Sequence, residues 1–249
     1  MTYIEGFILA VPEDRKADFI AHASAAFPLF EEFGVTRHVE CWEDHVEDGK
    51  ITDMRRAVKA KPGEKVVFSW LEYPSKTVRD GAYEKMMSDP RMADMPEMPF
   101  DGQRMIYGGF EAISDIGIGH ADPYVSGSVF AVPTANKAAF TEFTKKMAEV
   151  FKDHGALRLM DAWGVDVPVG KVTDFQGAVQ AKEDETVSFG WIEWPSKAVN
   201  DEAWPKIMED PRMAEITMPA DGARMIFGGF TPVVNLFAKV SSASGASPA

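Results

Sequence analysis

Residues 101–110 read Asp-Gly-Gln-Arg-Met-Ile-Tyr-Gly-Gly-Phe, and residues 221–230 read Asp-Gly-Ala-Arg-Met-Ile-Phe-Gly-Gly-Phe. Working back from this pair, the two halves stay in step at an offset of about 121 residues. Asp89-Pro90-Arg91-Met92 matches Asp210-Pro211-Arg212-Met213, and Trp70-x-Glu72 matches Trp191-x-Glu193. Further back, Arg37, Trp42 and Thr52-Asp53 match Arg158, Trp163 and Thr173-Asp174. At the start, Tyr3-x-x-Gly6 and Ala10-Val11-Pro12 return as Tyr124-x-x-Gly127 and Ala131-Val132-Pro133. One residue is lost in the second copy before Met218-Pro219. A period this long is far above that of a solenoid, so each copy is a domain-sized unit. We place them at 1–113 and 122–240, joined by a Gly/Pro-containing link, with 241–249 as a small, polar, flexible tail.

One unit reads as follows. Residues 3–11 alternate and are β-branched or aromatic, which predicts a strand closed by Pro12. Apolar residues at helical spacing predict a helix between Glu13 and Phe33, ended by Gly34. Strands are expected at 35–44 and, most clearly, at 65–73, with a further extended piece at 53–60. Ser75 is placed as the cap of a helix over 76–88, and a last strand is expected at 104–112. Helices are expected near 134–153 and 196–209 in the second copy, the latter broken or kinked near Trp204 because Pro205 removes a donor and clashes with the preceding turn. The order β-α-β-β-α-β is that of a ferredoxin-like α+β unit. Its sheet carries helices on one face only. Two such units bury their bare faces by closing on each other, giving an intramolecular dimeric α/β barrel with the helices outside.

Composition narrows the function classes. A net charge of −13 and a pI near 4.8 disfavour nucleic acid and anionic membrane as partners. Cys41 is the single cysteine, which excludes an intrachain disulfide and cysteine-rich zinc sites. The first residues lack a basic segment and no apolar run approaches membrane-spanning length, so a cytoplasmic location is expected. Internal closure predicts a monomer, or at most a weak homodimer.

The strings Val-Glu-Cys-Trp, Val-Phe-Ser-Trp-Leu-Glu-Tyr-Pro-Ser-Lys, Ser-Asp-Pro-Arg-Met and Met-Pro-Phe-Asp-Gly-x-Arg-Met-Ile-Tyr-Gly-Gly-Phe-Glu resemble the DUF1428 family of small, usually single-unit bacterial proteins, and both halves fit it. The resemblance implies the dimeric α/β-barrel superfamily. It implies no established activity and no accepted catalytic residues. The fusion is a departure from the usual member.

Chemistry-bearing residues are few. Strand 65–73 presents Val66, Phe68, Trp70 and Glu72 on one face, and its copy presents Val187, Phe189, Trp191 and Glu193. A glutamate beside tryptophan on an apolar face is either an acid/base group of raised pKa or a partner of Arg37, Arg158, Arg104 or Arg224. The neighbouring strand presents His38, Glu40, Trp42 and Asp44, with Leu159, Asp161, Trp163 and Val165 in the copy. We expect both sets to face the barrel interior, with Arg37 and Arg158 on the opposite parity. On that arrangement Glu72, Glu193, Glu40 and Asp161 are the candidate catalytic carboxylates, and Trp42, Trp70, Trp163, Trp191 and His38 line a ligand cavity. His38, Glu40 and Asp44 at alternate positions offer a metal set or a His–carboxylate dyad, but motifs with metal-ligand spacing are absent and no metal site is expected; none of the five histidines recurs between copies, so any histidine chemistry is confined to one half. Serine triads, phosphate loops and dinucleotide fingerprints are missing, and no cofactor is expected.

Three functions remain. The first is a cofactor-independent enzyme acting on a small apolar or aromatic molecule inside the barrel. The second is a non-catalytic binder of such a ligand. The third is a structural or stress-related protein. An open cavity favours the first two and a plugged barrel the third.

Overall fold

The computed structural model describes residues 1–92, 95 and 97–239. The expected tail at 241–249 lies outside them. The first repeat runs β1 (Tyr3–Pro12), α1 (Lys16–Glu32), β2 (Arg37–His45), α2 (Met54–Ala57), β3 (Glu64–Tyr73), α3 (Lys76–Ser88) and β4 (Ile106–Gly117). The second runs β5 (Tyr124–Pro133), α4 (Lys137–Asp153), β6 (Arg158–Asp166), α5 (Phe175–Ala178), β7 (Glu185–Trp194), α6 (Lys197–Glu209) and β8 (Ile226–Phe237). The eight strands close into one antiparallel barrel in the order β1-β3-β2-β8-β5-β7-β6-β4. Each repeat supplies four adjacent strands, and the seams are β2 with β8 and β4 with β6.

Local sequence explains most of these elements. Gly34 sits at φ +103°, the left-handed conformation that terminates α1, with Gly34 N donating to Glu31 O and Val35 N to Phe30 O. Ser75 accepts from Val78 N and opens α3.

Three expectations need correction. Residues 53–60 are not extended: Asp53 accepts from Arg56 N and caps the four-residue helix α2. Strand β4 does not stop at 112 but runs to Gly117, because its second half pairs with β6 of the other repeat. Helix α6 is not broken near Trp204; it continues from Lys197 to Glu209 through Pro205. Pro205 is exposed, and so is Asp201 one turn earlier, so the carbonyl that loses its donor faces water and not the core. Helix α1 carries Pro28 on its solvent side in the same way.

The barrel interior is filled. Phe68 and Phe189 stack at 4.5 Å with an interplanar angle of 1°, and Trp70 stacks on Trp191 at 4.1 Å. Gly6 and Gly127 make room for this pile. A Cβ on Gly6 would stand 2.9 Å from the Phe189 ring, and one on Gly127 2.9 Å from the Phe68 ring. Val39, Cys41, Phe110, Met160, Ala162 and Phe230 complete the packing. Met54 in α2 and Val58 just after it, with Phe175 in α5 and Val179 just after it, stopper one end of the barrel.

Candidate functional site

Strand register decides which side chains converge. Arg37 lies opposite Glu72 and Val39 opposite Trp70 across β2 and β3, and Arg158 lies opposite Glu193 in the second repeat. Directly opposed residues share a face. The arginines therefore point inward with the glutamates, and the expectation that they sit on the opposite parity is corrected. Conversely His38, Glu40 and Trp42, and Asp161 and Trp163 in the copy, point outward toward the helices. They do not meet Glu72, Glu193, Trp70 or Trp191.

The inward set forms a closed ion cluster at the end of the barrel away from α2 and α5. Arg37 from the first repeat contacts both oxygens of Glu193 from the second, at 2.5 and 3.1 Å. Arg158 from the second contacts both oxygens of Glu72 from the first, at 2.8 and 3.0 Å. The indole N–H of Trp70 donates to Glu72, and that of Trp191 to Glu193. Asp115 and Asn235 take the outer guanidinium edges of Arg158 and Arg37. The link between repeats crosses above, where His120 N donates to Glu193 and His120 O accepts from Arg37. Burial pushes the Glu72 carboxyl up, but the Arg158 and Arg37 guanidinium groups and the Trp70 indole outweigh it and hold it below the ordinary range. The expectation of a raised pKa at Glu72 is thus overturned: it is a structural ion-pair partner, as its alternative reading had it. With the barrel packed solid, the four indoles do not line one ligand cavity; Trp70 and Trp191 are core.

The outward set differs between repeats. His38 Nε2 lies 2.8 Å from Glu40 Oε1, and the His38 ring is flanked by Phe27 and Phe30 of α1. His38 Nδ1 and Glu40 Oε2 are buried without partners. Trp42 packs on Phe19, and Trp163 on Phe140. Asp44 turns away to Tyr124 and Lys197 of the other repeat, at 3.0 and 3.1 Å, mirrored by Asp166 with Tyr3 and Lys76 at 2.6 and 2.8 Å. These two clasps stitch the repeats together across both seams.

Asp161 stands apart. It is half-buried and has neither hydrogen bond nor ion pair among the described residues. One carboxylate oxygen lies over Gly190, where a Cβ would stand 2.7 Å away; the first repeat has Ser69 at that position. Ser114 faces Asp161 across β4 and β6, and its hydroxyl is buried without a partner. Burial alone pushes the Asp161 carboxyl up to about 7. Sequence reasoning picked Asp161 but missed Ser114, which it had placed in the link. The described residues contain no cluster of His, Cys, Asp and Glu suited to a metal ion, and no helix among them is long and apolar enough to cross a membrane.

The family model for a protein of unknown function, DUF1428, matches residues 2–102 and again 123–222. The chain belongs to the DUF1428 family. The "Uncharacterized protein YbaA" of Escherichia coli strain K12 is 62% identical over 116 residues, covering 46% of this chain and 99% of YbaA, and that of Shigella flexneri matches equally. YbaA therefore corresponds to one repeat, and this DUF1428 member carries two in tandem. Among solved structures, a candidate monooxygenase from Lactobacillus acidophilus NCFM superposes with a TM-score of 0.60 at 12% identity, covering 95% of this chain and 96% of that one. An anthrone oxidase-like protein follows with a TM-score of 0.57 at 11% identity, covering 98% and 96%. These likenesses establish the duplicated α/β-barrel fold for this DUF1428 chain.

Proposed function

We propose that this DUF1428 chain handles a small neutral aromatic molecule by proton transfer on the helix-facing side of β6, with Asp161 as the acid/base group. The observation that carries this reading is the isolation of Asp161: among the four candidate carboxylates, Glu72 and Glu193 are held by arginines and Glu40 by His38, while Asp161 has no partner. A carboxyl near 7 exists in both forms at neutral pH, which suits general acid/base work. Trp163 lies two residues along β6 on the same face and packs on Phe140 of α4. In this reading the Asp161 carboxylate takes a proton from a phenolic or enolic O–H, and the Ser114 hydroxyl donates to the oxyanion left behind. The likeness to a candidate monooxygenase and an anthrone oxidase-like protein agrees with small-molecule chemistry on this fold by analogy only. The reading places the chain in a reducing compartment, since Cys41 is alone and buried, and has it act as a monomer closed by its own two repeats.

The test uses 4-nitrophenol, whose colour reports its own ionisation. Saturable binding with a shifted apparent ionisation, weakened at least fivefold by Asp161→Asn and not by Glu40→Gln, supports the reading. Equal behaviour of Asp161→Asn and the parent ends it. The packed barrel favours a second reading, a purely structural protein, in which Asp161→Asn changes stability alone.

A further inference from the structure

The loops that lead into α2 and α5 have the same backbone shape. In each, a Cβ on the glycine, Gly49 or Gly170, would run into the carbonyl of the threonine three residues on. Asp53 and Asp174 share a φ of −157°. Each accepts two backbone N–H groups, from Gly49 and Arg56 in the first repeat and from Gly170 and Gly177 in the second. The side chain held inside the loop exists in the first repeat only. Arg56 Nε donates to Asp53 Oδ2 at 2.5 Å, its Nη1 to Ile51 O at 3.1 Å and its Nη2 to Gly49 O. One guanidinium thus satisfies three acceptors that the loop turns toward it.

In the second repeat Gly177 takes the place of Arg56. A Cβ there would meet only the Asp174 carboxylate, so the space its side chain would enter is open. Asp174 Oδ2, Val172 O and Gly170 O are the counterparts of the three acceptors. Among the described residues no cation pairs with Asp174, and nothing donates to Val172 O or Gly170 O. These oxygens are not part of the barrel ladder, because β6 ends at Asp166 and α5 begins at Phe175. Gly170, Val172, Asp174 and Gly177 border a recess of about 340 Å³. Ile51, Arg56 and Lys59 of the first repeat stand on its far side. Arg56 is neutralised there by Asp53, and Lys59 is exposed to water, which screens its charge.

We propose that this recess binds a guanidinium group on a short alkyl stem. The guanidinium donates to Asp174 Oδ2, Val172 O and Gly170 O, as Arg56 does to Asp53, Ile51 and Gly49, and the stem packs on the Ile51 and Val172 side chains. A planar fork reaches all three acceptors at once, whereas an ammonium offers a compact point charge. The unpaired Asp174 carboxylate and the chain's net charge of −13 both favour a cation. At roughly 30 Å³ per water the recess has room for the group and its stem. The site shares no residue with the Asp161 and Ser114 pair and goes beyond the reading given above.

The experiment is an amide ¹H–¹⁵N titration of the full chain with n-propylguanidinium chloride, and in parallel with n-propylammonium chloride. The Gly170 and Gly177 amides, which donate to the Asp174 carboxylate, are expected to shift together and saturate, with the ammonium about tenfold weaker. Gly177→Arg installs the first repeat's own occupant and should abolish the saturable shift at Gly170. Should that variant misfold, Asp174→Asn keeps an acceptor for the α5 cap and should weaken the guanidinium about fivefold. A third arm with N-acetylarginine methylamide separates two sources of the group. Tighter binding than n-propylguanidinium assigns it to an arginine side chain and weaker binding to a free small molecule, and either order supports the proposal. No saturable shift at Gly170, equal binding by Gly177→Arg or by Asp174→Asn, or equal binding of the ammonium by the parent chain overturns it.

Discussion

The Glu72 carboxylate of the first repeat is held by the Arg158 guanidinium of the second through paired contacts of 2.8 and 3.0 Å, both groups buried. Its counterpart, Glu193 with Arg37, closes the same ring from the other side. Within each repeat the contacts are longer and single, 3.5 Å from Arg37 to Glu72 and 3.8 Å from Arg158 to Glu193, so the paired contacts work as a reciprocal lock between the repeats. A buried ion network of this kind is no guarantee of net stability against an apolar substitute, but breaking it by removing one partner strands a charge.

Arg158→Ala is therefore expected to lower stability by about 3–5 kcal/mol, measured by denaturant unfolding of the full chain. Glu72 is held below its ordinary pKa by the folded state, so its contribution is complete above the unfolded-state value and is lost as pH falls through the folded one. Arg158→Ala should accordingly blunt the acid side of the stability profile. A loss under 1 kcal/mol, with an unchanged acid limb, contradicts the lock.

The stacked pair Phe68 and Phe189 fills the barrel axis. Phe189→Ala should cost about 3–5 kcal/mol, the sum of lost burial and a cavity that rigid strands cannot collapse. Gly6→Ala should be destabilising too, since its Cβ meets the Phe189 ring, and the double variant Gly6→Ala/Phe189→Ala should lose less than the two singles added. Thermal unfolding of the four chains checks this, and strict additivity would speak against the contact.

Cutting the chain tests closure. Residues 1–117 and 122–239 expressed separately each expose an inward sheet face and half of the ion cluster, and each should dimerise or aggregate. Mixed, they should recover one stable barrel through the β2/β8 and β4/β6 seams. Two well-behaved monomers that ignore each other would refute the single-barrel account.

Much of this fold is legible before any coordinates. The repeat, the β-α-β-β-α-β order and helix α3 follow from spacing, turn residues and caps, because those signals are local. The facing of β2 is not local. Alternation sorts its residues into Arg37, Val39, Cys41 on one side and His38, Glu40, Trp42 on the other, and both sides carry polar and apolar groups. Pairing with β3 selects the first side as interior, through Arg37 opposite Glu72. Trp42 and Trp70 look alike as letters, yet one packs on Phe19 under a helix and the other on Trp191 in the barrel. The second half of β4 was equally hidden, since its partner β6 lies in the other repeat. Asp161 was nameable as a candidate, whereas its isolation depends on Gly190 and Ser114 and exists only in three dimensions.

That isolation has a thermodynamic consequence. Asp161 has a folded-state pKa of about 7, raised from 3.8 by burial, so the folded state prefers the protonated form. Its contribution is intact below pH 4 and is lost as pH rises toward 7, beyond which the ionised carboxyl remains a fixed cost. Asp161→Asn should therefore be nearly neutral at pH 4 and stabilising at pH 8, by about 2–4 kcal/mol at most given the partly open edge of the residue. Equal stability of variant and parent at pH 8 would argue against a strained carboxyl.

The most direct test reads the carboxyls themselves. In the intact chain labelled with ¹³C at aspartate and glutamate side-chain carboxyls, Asp161 is expected to titrate near 7 and Glu72 below the usual glutamate range. That outcome assigns the acid/base group to the helix side of the sheet and the barrel glutamates to structure. An Asp161 titrating near 4, with Glu72 shifted upward instead, would contradict the account and return the chemistry to the barrel interior.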